Sequence, residues 1–325
     1  MLTINRKKAH LWSRLGSRAV FGLAVLELAK QMEDFYVLSG DLCGSSGLTR
    51  FSEQFPRRFI NMGIAEQNMI GVAGGLAKDG TSVLATSFAP FITMRAAEQV
   101  RMNMGYMQLN IKVVGLGSGL VMAKLGNSHY GLEDVAVMRA IPGVMIVSPA
   151  DCTEIVKATE AIINYKGPVY LRLTGGSLNP VVYADDYDFR LGKAVTLREG
   201  KDLAIVAAGT MVHMSLKAAD LLAKQGISTT VVDMHTIKPL DTECLDYLCQ
   251  YNLLVTVEEH TIIGGLGGAV AEYLVAKKNH PRQIMLGIKD NYPNGGSYDY
   301  LLKQCGLTEG KIADRIKSAL TNTNC

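Results

Sequence analysis

Residues 61–80 read NMGIAEQNMIGVAGGLAKDG. One carboxylate, Glu66, stands in an otherwise apolar run whose other charges, Lys78 and Asp79, come only at its end. Read as a helix, the segment puts Glu66, Met69, Ile70 and Ala73 on one side, so the carboxylate shares a face with apolar residues. Gly71, Gly74 and Gly75 weaken helix propensity and point to very close approach by another backbone or a ligand. A buried carboxylate must be protonated, paired or hydrogen-bonded. From these residues alone a structural ion pair, a capping contact and a functional role all stay open.

Outward from this segment, short runs of Val, Ile and Leu alternate with helical spacing. Helical periodicity over 18–35 leads into the apolar strand YVLSGDL; beyond Glu66 come a strand at SVLATS and a helix over 90–104. IKVVGLG, VMIVSPA and VYLRL read as strands, with helices at GLEDVAVMRA and CTEIVKATEAIINY between them. Such alternation indicates a parallel sheet covered on both faces. The Gly-, Pro- and Asp-rich stretch TGGSLNPVVYADDYDFRLG breaks the rhythm and places a domain boundary within 175–190. A second series follows in DLAIVAAG, ISTTVVDM, LLVTVEEH and QIMLGIKD, closing on a helix in TEGKIADRIKSAL. The expected fold class is α/β with two domains, 1–180 and 181–325, each a mostly parallel sheet covered by helices. The 325 residues exceed what one compact core usually holds.

Bulk properties narrow the function. The 33 basic and 30 acidic residues are mixed along the chain, so neither a nucleic-acid nor a membrane surface is expected. No run of about 18 apolar residues is uninterrupted, and the opening MLTINRKKAHLWSRLGSR lacks the apolar core of a secretory signal. Cys43, Cys152, Cys244, Cys249, Cys305 and Cys325 form no CxxC pair. They indicate a reduced cytoplasmic chain with unpaired thiols rather than a zinc site or disulfide framework.

MGIAEQNMIGVAGGLAKDG resembles the cofactor-activating segment of transketolases, and further motifs follow in that family's order over nearly the whole chain. The resemblance implies the pyrimidine-binding and C-terminal domains of a thiamine-diphosphate enzyme. It implies that Glu66 hydrogen-bonds N1′ of the cofactor's aminopyrimidine, favouring the imino tautomer whose N4′ deprotonates the thiazolium carbon. An apolar, water-excluding wall strengthens such a contact.

Five other stretches take meaning from the same resemblance. In TSFAPFITMR (86–95), Phe88, Phe91 and Met94 recur at helical spacing, which by itself is ordinary core. The resemblance implies that they surround the aminopyrimidine, Met94 standing where Tyr is common. In GDLCGSSGLTR (40–50), it places Asp41 near the cofactor and Ser45 at a sugar phosphate. Arg18 in SRAVFG and Arg172 in VYLRL fall at two arginines of that phosphate pocket, where a planar donor fork suits phosphate oxygens. GNSHYGLED (126–134) is similar to the family's GPTHQ loop, with His129 at the histidine that bonds substrate oxygens and moves protons. Leu125 stands where many transketolases carry Asp, and Gly117 where they often carry a further His.

The family's Gly-Asp-Gly motif, which with a downstream Asn holds Mg²⁺ against the diphosphate, does not occur in the sequence. The chain is therefore expected to be the C-terminal subunit of a split transketolase. A separate N-terminal subunit would hold the metal and diphosphate, with two copies of each chain in an α2β2 heterotetramer. The implied reaction moves a two-carbon ketol unit from a ketose phosphate to an aldose phosphate. Leu125 and Gly117 keep open an acyloin or ketol transferase with an unusual substrate. A 2-oxoacid dehydrogenase β subunit, a deoxyxylulose-phosphate synthase and a non-catalytic subunit that kept the fold stay open as well.

Overall fold

A computed structural model describes residues 2–321. Twelve strands are present among them: β1 (Phe35–Ser39), β2 (Phe59–Asn61), β3 (Ser82–Phe88), β4 (Ile111–Leu116), β5 (Met145–Val147) and β6 (Val169–Arg172) come from the first half. The second half gives β7 (Val195–Arg198), β8 (Leu203–Ala207), β9 (Thr229–Asp233), β10 (Thr236–Lys238), β11 (Leu253–Thr261) and β12 (Arg282–Ile288). They build a seven-stranded sheet, ordered β10-β5-β6-β4-β3-β1-β2, and a five-stranded sheet, ordered β12-β11-β8-β9-β7. The central strands are parallel and buried along their length, as β4 and β8 show, because helices cover both faces. This is the doubly covered α/β architecture expected from the alternating apolar runs.

Two joins are antiparallel, β7 with β9 and β10 with β5. The second matters for the whole molecule: β10 belongs to the later half of the chain yet completes the first sheet. The stretch between β6 and β7 is a packed strap rather than a loose linker. The N–H groups of Val182 and Tyr183 both donate to Asp151 Oδ2 at 2.7 Å. The Tyr183 hydroxyl donates to Asp233 Oδ2 at 2.8 Å and that of Tyr187 to Glu154 Oε1 at 2.5 Å. The two tyrosine rings stack with centroids 4.0 Å apart.

Element bounds differ from the sequence reading where local chemistry intervenes. The helix read over 18–35 is Ser17–Ala29, and Phe35 already opens β1. Arg58 caps the end of this helix, donating to the carbonyl of Ala29 (2.8 Å), in the last turn, and to that of Met32 (2.5 Å) just beyond it. The helix read over 90–104 is a short α segment, Ala97–Val100, between two π turns, Phe91–Arg95 and Arg101–Tyr106. A preceding helix, Arg6–Leu15, carries few apolar residues and buries only Ala9 and Trp12. Cys43, Cys152, Cys244, Cys249 and Cys305 are free thiols, and Cys325 lies outside the described residues.

Candidate active site

Parallel sheets offer ligands the carboxyl ends of their strands, and the side chains singled out by sequence gather there. Glu66 opens the helix Glu66–Lys78, as the spacing of Met69, Ile70 and Ala73 required, and is 1% exposed. Its Oε1 accepts from the Ser87 hydroxyl at 2.8 Å, and its Oε2 accepts from Arg95 Nη1 at 2.7 Å. Burial pushes the carboxyl up, but hydrogen bonds from Arg95, its own backbone N–H and Ser87, with the charge of Arg95, outweigh that. The group lies below the ordinary carboxylate range, so the chain stores it ionised. Gly40, which follows β1, lies against the same pair: a Cβ there would sit 3.2 Å from Ser87 Oγ and 3.6 Å from Glu66 Oε1.

Three rings cluster nearby, joined to Glu66 through Arg95. Phe88 ends β3 and Phe91 lies on the π turn that follows, with ring centroids 6.1 Å apart and edge to face. His129, from the loop after β4, meets both, at 5.9 Å from Phe88 and 5.3 Å from Phe91. Its Nδ1 lies 3.0 Å from the Ser128 hydroxyl. Arg95 spreads over Phe91, 4.2 Å from the ring centroid, while holding Glu66. Met94 is 39% exposed on the Phe91 turn, and Leu125 is 52% exposed on the His129 loop. Gly117, at the end of β4, lies where Met122 approaches Phe88, so a side chain there would strike the thioether.

The loop after β1 carries the remaining residues. Asp41 is exposed, held in a left-handed conformation (φ +61°) and hydrogen-bonded by Asn61 Nδ2 at 3.0 Å. Further along, the loop presses on the helix Ser17–Ala29 so closely that a Cβ on Gly22 would lie 2.0 Å from the Gly47 carbonyl oxygen. That approach places Ser45 beside Arg18. Both line a cavity of about 360 Å³ with Gly44, Gly47 and Ser177. Donors without a carboxylate in this lining suit an anion.

Arg172 does not join that cavity, which corrects its assignment to the phosphate pocket. It is 3% exposed and tied inside the protein: Nε donates to Asp134 Oδ2 at 2.8 Å, and Nη2 to the carbonyls of Gly131 (3.0 Å) and Glu259 (2.9 Å). A guanidinium inside a strand buried along its length needs an internal counter-ion, and Asp134 supplies it. Arg95, Ser87 and Asn61 are the residues that sequence reasoning passed over. For Arg95 a signal existed, since it stands four residues after Phe91; its bond to Glu66 spans 29 positions and is not readable from spacing.

The residues fit the aminopyrimidine end of thiamine diphosphate: an aromatic cluster and a buried carboxyl to face a ring nitrogen. Comparisons with known proteins point to a family. The sequence model of the transketolase pyrimidine-binding domain matches residues 14–180, and that of the transketolase C-terminal domain matches 192–312. A Methanocaldococcus jannaschii protein assigned as a transketolase C-terminal section is 41% identical, over 93% of this chain and 95% of its own. A 6-deoxy-6-sulfo-D-fructose transketolase subunit of Clostridium sp. (strain MSTE9) is 40% identical, over 89% of each. A solved structure described as a split gene transketolase, inactive β4 tetramer, superposes with a TM-score of 0.85 at 37% identity. It covers 94% of this chain and 98% of its own.

Proposed function

The chain belongs to the transketolase family, and from that premise we propose that it is the C-terminal subunit of a two-chain, thiamine-diphosphate-dependent transketolase. The complex moves a two-carbon ketol unit from a ketose phosphate to an aldose phosphate. The observation that carries this reading is the buried, ionised Glu66, held by Arg95, which also lies over Phe91 in a cluster with Phe88 and His129.

When bound, thiamine diphosphate supplies a nucleophilic thiazolium carbon and an electron sink for carbon–carbon cleavage. Glu66 is the proton-holding group at the aminopyrimidine, and Arg95 must share or release Oε2 for it to take that part. Phe88, Phe91 and Met94 pack on the ring and exclude water, which strengthens the carboxyl contact. Asp41 borders the same end of the sheet. His129 bonds the substrate's oxygens and moves a proton there; Ser128 engages its Nδ1 and leaves Nε2 for the substrate. Arg18 and Ser45 grip the terminal phosphate.

The Mg²⁺ and diphosphate fall to an N-terminal subunit, in an α2β2 complex, within the cytoplasm. The inactive β4 tetramer of the split-gene relative supports that need for a second chain. No helix among the described residues is long and apolar enough to cross a membrane. Arg18 is the one cation among the described residues lining the anion cavity. With the sulfosugar relative, this favours a second reading in which the terminal anion is a sulfonate.

Co-purification with the neighbouring N-terminal chain, followed by cofactor binding and ketol-transfer assays, tests the proposal. Glu66→Ala should cut turnover by at least about a hundredfold, in the range set by general acid–base groups. Unchanged turnover in that variant would sink the assignment of Glu66.

A further inference from the structure

The rings and Glu66 come from the first half of the chain, but the seat of the His129 loop comes from the second. The loop runs from Gly117 to Tyr130, and its neck is closed by reciprocal backbone hydrogen bonds between Gly119 and Gly131 (2.8 and 3.1 Å). Glu259, on β11, reaches into that neck and is 1% exposed. Its Oε1 accepts from the Leu120 N–H at 2.6 Å. Its Oε2 accepts from the hydroxyls of Thr210 (2.6 Å) and Tyr298 (2.7 Å), both in the second half. Gly119 has φ +76°, and a Cβ on it would meet Glu259 Oε1 at 2.4 Å, so the neck is shaped around the carboxylate.

The other side of the neck is held as firmly. Arg172 bridges the carbonyl of Gly131 and that of Glu259, and Asp134 fixes its Nε. Asp134 in turn accepts from the Tyr170 hydroxyl at 2.6 Å. The apolar residues of the loop (Leu120, Ala123 and Tyr130) pack into the core that includes Leu203, Met211 and Leu301. Tyr130 donates to the Ala123 carbonyl at 2.8 Å, so the turn carrying His129 is braced from within.

We propose that Glu259, with Arg172, is a positioning residue for the reaction: the C-terminal domain sets where His129 stands by gripping the neck of its loop. A carboxylate satisfied by an amide and two hydroxyls is a stiff anchor, since charge-assisted hydrogen bonds are about twice as strong as neutral ones. Slackening it moves His129 relative to Phe88 and Phe91 while leaving Glu66 and its helix in place. The kinetic side of this inference rests on the transketolase reading; the mechanical side does not.

The test uses Glu259→Gln, Thr210→Val and Tyr298→Phe, with hydrogen exchange on the chain and kinetics on the reconstituted complex. Glu259→Gln, whose amide oxygen still accepts but carries no charge, should speed exchange at Leu120 about tenfold as that hydrogen bond weakens. The Glu66 helix should keep its protection. It should lower kcat about tenfold, with the half-saturating concentration of thiamine diphosphate unchanged, and the two hydroxyl variants should move both readouts less, in the same direction. If Leu120 exchange and kcat stay at wild-type values in all three, or exchange rises uniformly over the chain, the inference is overturned. If the wild-type complex transfers no ketol unit but Leu120 still loosens selectively, the transketolase reading falls and the grip on the loop stands.

Discussion

Glu66 sits in a contest between two physical effects, and Arg95 decides it. Burial alone favours a neutral carboxyl, whereas a guanidinium 2.7 Å away and a serine hydroxyl favour the ion, and the ion wins. Because the folded value lies below that of the unfolded chain, about 4.3 for a glutamate, ionised Glu66 adds stability above that pH. The contribution is lost as pH falls through the folded value. Arg95→Ala should raise the Glu66 titration in the cofactor-free chain, followed by carboxyl ¹³C NMR, and begin the acid loss of stability at higher pH. A titration that did not move would mean that Arg95 is not the counter-ion. Glu66, Phe88, Phe91 and His129 are legible in the sequence because they occupy ordered motifs. Arg172 misleads because strand neighbours show that a cation is buried without showing that Asp134, 38 positions away, neutralises it.

The glycines of the Glu66 helix divide by face. Gly74 points inward, where a Cβ would lie 2.0 Å from Asn103 Oδ1, and Asn103 is itself tied to the Gln99 carbonyl at 2.8 Å. Gly71 and Gly75 are exposed with nothing within 4 Å. Gly74→Ala should therefore destabilise the chain by about 1–3 kcal/mol, the cost of overpacking. Gly71→Ala should stabilise it by roughly 0.5–1 kcal/mol, the helix preference of alanine over glycine. Urea denaturation of the two variants checks both signs. The sequence shows that close approach occurs along this helix, but not which glycine receives it. Strands β2, β7 and β10 escape for a related reason: they are short and interspersed with polar residues, whereas the equally short β5 is uniformly apolar and readable.

Between the halves of the molecule, the strap and its acids make stability depend on pH. Burial pushes the Asp233 carboxyl up to about 7 against the hydrogen bond from Tyr183, with the charge of Asp151 adding to the rise. Burial also pushes Glu258 up to about 7, against the N–H groups of Gly267 and Leu266. A raised carboxyl adds stability below its unfolded value, near 4, and loses it as pH rises through the folded value near 7. Each group that differs by one proton contributes a slope of about 1.4 kcal/mol per pH unit. Chemical denaturation should show stability falling from pH 5 to 7, and Asp233→Asn should flatten part of that slope; an unaltered slope would remove Asp233 from the account. The crossover of β10 constrains how such a chain can be cut. A fragment ending near residue 180 would bare the flank of β5, an open edge that invites strand addition and aggregation. Recombination between related genes therefore keeps the first sheet from a single parent only when the exchange point falls before Phe35 or beyond Lys238, the latter well inside what its sequence rhythm marks as the second domain.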